Sequence, residues 1–230
     1  VIYLSFISLG LPDAVLGAAW PTIYQGFGVP LSYSGVVACI ISVGTVISSL
    51  QSDRLTRRFG AGAVTAASVA MTALALLGFS VSHSFGALCV WAVPYGLGAG
   101  SVDAALNNYV ALHFASRHMS WLHCMWGVGA SLGPYIMGAV LTRGLGWHTG
   151  YRLIGGIQLL LTVIIFLSLP LWKKQVKGSD AAPEVCAHPL TLRQILQIPG
   201  VKQVLVMFFC YCALEQTAGL WASSYLVLYK

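Results

Sequence analysis

Charged side chains are scarce in this sequence: only 8% of its 230 residues are charged, and only six residues are acidic. A water-soluble domain carries roughly 25% charged residues, so this chain does not have the surface of one. Hydrophobic residues make up 57%, and the mean hydropathy is +0.80. The composition predicts a polytopic membrane protein whose partner is the lipid bilayer. The net charge of +6 falls in loops between apolar runs, so it predicts membrane orientation and no nucleic-acid binding.

The sequence also lacks the patterns of several functional classes. Its six cysteines have no metal or redox spacing, and the histidines at 113, 118 and 123 do not share a helix face. We therefore expect no metal site. Neither a phosphate-binding loop nor a nucleophile with a neighbouring base is recognisable, so we expect neither an enzyme nor a bound cofactor. No segment alternates between polar and apolar residues, which leaves helices to cross the membrane.

Seven apolar runs are long enough to cross the hydrocarbon, which needs about 20 residues. They cover residues 2–24, 32–52, 62–82, 85–112, 119–142, 151–171 and 201–228. The sequence thus predicts an all-α polytopic membrane protein, with a six-helix bundle over 1–171, a loop over 172–200 and a seventh span over 201–230. Within the loop, the spacing of LTLRQILQI predicts a short amphipathic helix at the membrane surface.

The positions of Lys and Arg predict the orientation of the chain. Nine of them fall on the side that holds the loop 172–200, and three fall on the other side. Because basic residues remain inside, we expect the N-terminus and this loop in the cytoplasm, in a multi-pass protein of the cell membrane. A seven-helix receptor places its N-terminus outside, so this charge bias argues against that class.

Three acidic residues, Asp13, Asp103 and Glu215, lie inside the first, fourth and seventh spans. A charge at the bilayer centre costs at least about 2.5–3.5 kcal/mol, so these groups are expected to face a bundle interior or a wet cavity. Removal from water favours the neutral carboxyl group, which suits a site that binds and releases protons. The alternative is a neutral acid that only joins two helices by hydrogen bonds.

The neighbours of two of these acids favour a binding site. Asn107 lies one turn after Asp103 on the same helix face, behind glycines that allow a neighbouring helix to approach. An acid and an amide on one face can hold a polyhydroxylated ligand or a proton. Pro12 and Pro21 flank Asp13 and are expected to interrupt the first span, as in the broken helices of transporters.

The fifth span combines aromatic and small residues. Gly129 and Gly133 form a small-xxx-small face, which favours close helix packing. Trp126 and His123 are candidates for lining a cavity, where the indole ring can stack on a sugar. The alternative for Trp126 is packing within the bundle, and for Trp121 a position at the membrane interface.

The sequence SLQSDRLTRRFG, between the second and third spans, resembles the major facilitator signature G-x-x-x-D-(R/K)-x-G-(R/K)-(R/K). Four residues match it: Asp53, Arg54, Arg57 and Arg58. Ser49 and Thr56 replace its two glycines. The resemblance implies that Asp53 lies against a helix end and that the arginines bond across two halves, so that the cytoplasmic side is held closed. A positive anchor at the membrane surface would explain the arginines but not Asp53.

Within that superfamily, three stretches resemble the fucose permease branch of sugar:proton symporters. They are LPDAVLG around Asp13, VDAALNNYVA around Asp103 and Asn107, and EQTAGLWASSYLV from Glu215 onward. The resemblance implies that both aspartates exchange the coupling proton and that Asn107 contacts the substrate. Asp103 stands where fucose permease has the longer glutamate, which shortens the reach of the carboxylate.

The architecture of this family is twelve helices, in two halves joined by a cytoplasmic loop, with the substrate between the halves. The resemblance implies that the chain is the first half plus the seventh helix, and that it does not transport without the second half. The expected function is proton-coupled symport of a sugar or similar small polar solute by alternating access. The alternatives are a proton-coupled antiporter of the same fold, which GASLGPYIMG partly resembles, and a non-transporting membrane sensor.

Overall fold

The computed structural model describes residues 1–170, 172 and 192–229, and within them it contains helices and no strand. The helices are α1 (Ile2–Gly10), α2 (Val15–Phe27), α3 (Tyr33–Phe59), α4 (Ala61–Ser80), α5 (Phe85–His113), α6 (Ser116–Thr142), α7 (Trp147–Leu167), α8 (Leu192–Gln197) and α9 (Val201–Tyr229). All seven expected spans are helical, with α1 and α2 together forming the first. The protein is therefore an all-α multi-pass membrane protein.

The connection between the sixth and seventh spans lies mostly outside the described residues. That includes residues 173–191, and with them Lys173, Lys174 and Lys177, three of the nine basic residues from which the orientation is predicted. Helix α8 falls within the segment for which the sequence predicts a surface helix. Its position at a membrane surface stays a prediction, as does the division into three segments at 171 and 200.

The first span is broken at one place, residues 11–14. Ala14 has a left-handed backbone (φ +53°), and the Asp13 amide donates to the carbonyl of Gly10, 2.9 Å away. Helix α2 continues through Pro21. The expectation that both prolines interrupt the span is therefore correct for Pro12 and wrong for Pro21. A membrane helix tolerates one missing hydrogen bond when neighbouring helices enclose it, whereas a left-handed residue reverses the helical turn.

The motif residues Asp53, Arg54, Arg57 and Arg58 lie on a helix, and not in the loop that the sequence suggested. Helix α3 continues to Phe59, and Gly60 alone (φ +85°) separates it from α4. Charged side chains end an apolar run but do not end a helix. Here the ion pair between Asp53 and Arg57 at i, i+4 stabilises two more turns.

The helices pack in a few extensive pairs. Helix α3 packs on α5, α4 lies between α5 and α7, α1 packs on α6, and α9 packs mainly on α2. Two apolar clusters fill the interior on either side of the break at 11–14. We call them the Trp20 cluster, which includes Phe79 and Tyr151, and the Phe6 cluster, which includes Leu106.

Glycines on α5 bring this helix into backbone contact with α3. A methyl group at Gly96 or Gly100 would overlap the carbonyl oxygen of Ile41 or Thr45, respectively. At this distance hydroxyl groups cross the interface: Thr45 Oγ1 donates to the Gly96 carbonyl (3.3 Å), and Ser49 Oγ to the Gly100 carbonyl (3.1 Å). The close approach predicted for this stripe is confirmed, and it fixes the rotation of α5 and hence the direction of its polar residues.

Replacing Trp20 by phenylalanine is expected to destabilise the fold. The Trp20 side chain is fully buried, and its indole Nε1 donates to the Leu31 carbonyl, 2.7 Å away, in the link between α2 and α3. Loss of the larger ring and of this bond should lower the free energy of unfolding by about 1–3 kcal/mol. Thermal unfolding of the purified protein measures the change. The matched control is Trp121→Phe, since Trp121 is 62% exposed; equal effects of the two changes would contradict the prediction.

Candidate functional site

A cavity of about 540 Å³, here called the central cavity, lies between the broken first span and α9. Side chains from α2, α3, α4, α5, α6 and α7 complete its wall. Most of the lining is apolar, with a few polar and aromatic side chains: Asp13, Ser42, Thr45, Phe79, Tyr95, Trp126, Tyr151, Phe208, Glu215 and Gln216. Concave, largely apolar sites with a few directed polar groups are typical of small-molecule binding, and this volume falls in the usual range.

Asp13 reaches the cavity because the first span is broken at this point. Its Oδ1 accepts the amide hydrogen of Ala14 (3.1 Å), which holds the carboxyl group at the start of α2. Helix N-termini carry partial positive charge from their unpaired amides. The break therefore provides both the position and a favourable environment for an acidic side chain that would otherwise be costly within a span.

Glu215 lies opposite Asp13 because α2 and α9 cross at two glycines. A methyl group at Gly17 would overlap the carbonyl oxygen of Gly219, and one at Gly219 would lie 3.4 Å from the Ala14 Cβ. Glu215 is one turn before Gly219, and its carboxyl group interacts electrostatically with that of Asp13. The structure thus places two acidic groups, distant in sequence, at the same cavity.

Asp103 and Asn107 form a second polar group next to the central cavity. The Asn107 amide donates to Asp103 Oδ1 (2.9 Å), and Asp103 interacts electrostatically with His123 on α6. Asp103 is also near Cys212 on α9, which does line the central cavity. Asn107 Oδ1 is buried and has no hydrogen-bond partner among the described residues. An acceptor is therefore available one turn from an exposed carboxylate.

Trp126 has two roles that the sequence had left as alternatives. It is one of the residues that line the central cavity. Its backbone carbonyl lies where a methyl group at Gly10 would be, so the same turn of α6 packs against the end of α1. The same turn of α6 therefore contributes to the wall of the central cavity and to the packing against α1.

Several residues of the central cavity were not predicted as site residues. Gln216 could have been predicted from the sequence, because a side-chain amide inside an apolar span is rare, as it is for Asn107. Tyr95 and Tyr151 had no such signal, because tyrosine is common at the ends of spans and in apolar helices. Their ring positions follow from helix packing: Phe79 lies 6.1 Å from Tyr95 and 5.4 Å from Tyr151 between ring centroids.

The motif at the end of α3 lies apart from the central cavity. Asp53 pairs with Arg57 at 3.0 Å, and both side chains are more than half exposed. The Arg58 guanidinium lies 5.3 Å from the centre of the Phe59 ring. Beside Asp53 is a depression of about 200 Å³ that Thr56 and Asn108 also line. Bonds from this motif to a second half of the fold stay a prediction.

Seven membrane-length helices among the described residues, a broken first span and a solute-sized cavity beside the break are typical of a helical membrane transport protein. The family model of the Major Facilitator Superfamily matches residues 2–230. The chain therefore belongs to the major facilitator superfamily, a family of membrane transporters for small solutes. No curated protein matches the sequence.

Proposed function

We propose that the protein is a proton-coupled symporter of a sugar or another small polar solute, working by alternating access. One observation carries the proposal: Asp13, in the break of the first span, and Glu215, on the seventh, face one cavity of about 540 Å³. Paired acids within the membrane are costly and are typical of proton pathways.

The lining of the central cavity supports a polar solute with an apolar face. Trp126 and Tyr95 offer aromatic surfaces on which a sugar ring can stack, as pyranose C–H groups do on indole. Gln216 and Ser42 supply donors and acceptors for hydroxyl groups. This combination of stacking surfaces and few directed polar groups favours a small polyhydroxylated compound over a long apolar one.

The two carboxyl groups provide a mechanism for coupling. Two carboxylates at one low-dielectric cavity repel each other, and a proton bound by either removes that repulsion. We propose that Asp13 and Asp103 exchange the proton, that Glu215 senses the charge of Asp13, and that Asn107 contacts the solute. Proton binding would then favour solute binding by removing charge from the site. Loss of the proton on the other side of the membrane would be followed by release of the solute there.

The roles of the motif at the end of α3 and the orientation in the membrane belong to the same proposal. Asp53, Arg54, Arg57 and Arg58 would hold the cytoplasmic side closed by bonding to the second half that the family architecture implies. The N-terminus would lie in the cytoplasm and the protein in the cell membrane. No cofactor besides the proton is proposed.

The experiment is uptake into vesicles that contain the full-length protein, with an imposed pH gradient. A panel of radiolabelled sugars is tested while the pH inside the vesicles is followed with a trapped dye. Sugar accumulation together with proton movement in the same direction supports the proposal. Extrusion of a cationic dye driven by the gradient would instead indicate an antiporter, and solute binding without flux would indicate a sensor.

The Asp103→Asn protein is expected to lose gradient-driven accumulation and to retain exchange of solute across the membrane. Asparagine keeps the hydrogen bond with Asn107 but cannot bind and release a proton. The measurement compares uptake against a pH gradient with exchange at equal pH. Asp180→Asn, in the long connection between spans, is the matched control with the same chemical change. Undiminished accumulation in Asp103→Asn would contradict the role of this residue.

A further inference from the structure

A small, largely enclosed pocket lies within the bundle, beside the central cavity. Residues from α1, α4, α5 and α7 surround it, and its volume is about 10 Å³. A space of this size accommodates one water molecule. Its polar residues are Ser8, Thr72, Tyr95 and Gln158. The pocket also touches Val69 and Val102 of the Phe6 cluster, and Tyr95 packs against the Trp20 cluster, so it lies where the two apolar clusters meet.

Two side-chain oxygen atoms in this pocket, on Ser8 and Gln158, are buried without a hydrogen-bond partner among the described residues. Ser8 is fully buried and Gln158 is 1% exposed. The Ser8 Oγ and the Gln158 Oε1 atoms have no hydrogen-bond partner among the described residues. The orientation of the Gln158 amide is fixed, because its Nε2 donates to Thr72 Oγ1 (2.9 Å), which in turn donates to the Val69 carbonyl (2.9 Å). Its Oε1 is therefore an acceptor that needs a donor.

The end of α1 adds a backbone acceptor to the same wall. Pro12 has no amide hydrogen, so it cannot donate to the Ser8 carbonyl four residues earlier. The Asp13 amide donates to Gly10 and not to Leu9, whose carbonyl it would meet in a continuous helix. Ser8, Leu9 and Pro12 all line the pocket. Buried polar groups in a membrane bundle need partners, and among the described residues none bonds to Ser8 Oγ or Gln158 Oε1.

We propose that this pocket binds one water molecule, which joins Ser8 on α1 to Gln158 on α7. The water donates to Gln158 Oε1 and exchanges a hydrogen bond with Ser8 Oγ, so that both orphaned groups are satisfied. A sodium ion of similar size is the less suitable occupant, since no carboxylate lines the pocket to balance its charge. Pro12 and Tyr95 line both this pocket and the central cavity. The bound water therefore fixes the end of α1 directly behind Asp13, whatever solute the protein carries.

A double-mutant cycle on the full-length protein tests the proposal. Ser8→Ala and Gln158→Met each remove one polar partner of the water, and each is expected to lower the Tm by about 2–4 °C. Because both changes act through the same water, the double variant should lower the Tm by clearly less than the sum. The two side chains make no direct hydrogen bond in the described structure. Additive shifts would therefore show that no shared water joins them and would overturn the proposal.

A control and a second measurement keep the test decisive. Ser131→Ala removes an exposed hydroxyl group that bonds only within α6, and it should leave the Tm unchanged. The Tm of the double variant Ser131→Ala/Gln158→Met should therefore equal that of Gln158→Met alone. If the variants do not fold, the presence of the water can be tested in a structure of the unmodified protein at a resolution that shows ordered water. Density within hydrogen-bond distance of Ser8 Oγ and Gln158 Oε1 supports the site, and an empty pocket overturns it. A Tm that rises in sodium chloride relative to choline chloride would assign the density to a cation and likewise overturn it.

Discussion

The Asp13→Asn protein is expected to bind its solute but to lose all accumulation driven by a pH gradient. Asparagine has nearly the same shape and can still accept the amide hydrogen of Ala14, so the break in the first span should persist. It cannot bind a proton, and its amide removes the charge that acts on Glu215. A change at this single residue should therefore separate solute binding from proton-driven accumulation.

The expected size of this effect follows from the driving force. A gradient of two pH units supplies about 2.7 kcal/mol per proton, which limits accumulation to about 100-fold for one proton per solute. The Asp13→Asn protein should equilibrate its solute without exceeding the outside concentration. Vesicle uptake with a pH gradient measures this. Asp13→Glu, which retains a titratable group, should restore part of the accumulation. Full accumulation by Asp13→Asn would show that the coupling proton binds elsewhere.

The Gly133→Val protein is expected to show the largest loss of stability. A Cβ atom at Gly133 would overlap the carbonyl oxygen of Leu11 and lie 2.9 Å from Val15 Cγ2. Leu11 begins the break of the first span, and backbone cannot move aside as a side chain can. Overpacking against side chains typically costs about 1–3 kcal/mol, and we expect at least about 3 kcal/mol here because the contact is with backbone.

The same helix offers a matched control for this prediction. Gly138 also lies on α6, but a methyl group there would meet no atom within 4 Å. Gly138→Ala should therefore be neutral or slightly stabilising, since alanine favours the helix by up to about 1 kcal/mol. Thermal unfolding and the yield of folded protein in detergent measure both variants. If the Gly133→Val protein unfolds at the same temperature as the unchanged protein, α6 is not in backbone contact with the break of the first span at Leu11.

The number and places of the spans could be predicted from the sequence, because length and hydropathy decide them. Which of the two prolines breaks the first span could not. Pro12 and Pro21 look alike in sequence, but only the first is followed by a left-handed residue, Ala14. Alanine has no intrinsic preference for that conformation, so nothing local indicates it. Surrounding helices must hold it in place, and their positions are not visible in one segment.

The candidate site shows the same limit. Asp13, Asp103 and Glu215 were recognisable because each is an acid inside an apolar span. Their grouping depends on how the helices cross. Asp13 and Glu215 meet because α2 and α9 touch at glycines, whereas Asp103 lies beside the central cavity and does not line it. Helical spacing predicted the pair of Asp103 and Asn107 correctly, since that contact lies within one helix.

The contact between Gly17 and the carbonyl oxygen of Gly219 restricts a position that carries no functional group. Gly17 cannot accept a side chain unless α2 and α9 move apart, and that movement would also separate Asp13 from Glu215. At Gly219, by contrast, a methyl group would make only ordinary contact with Ala14. Natural variation at Gly17 is therefore expected to be subject to the same selection as variation at the acids. A family comparison that scored only chemically active side chains would overlook it.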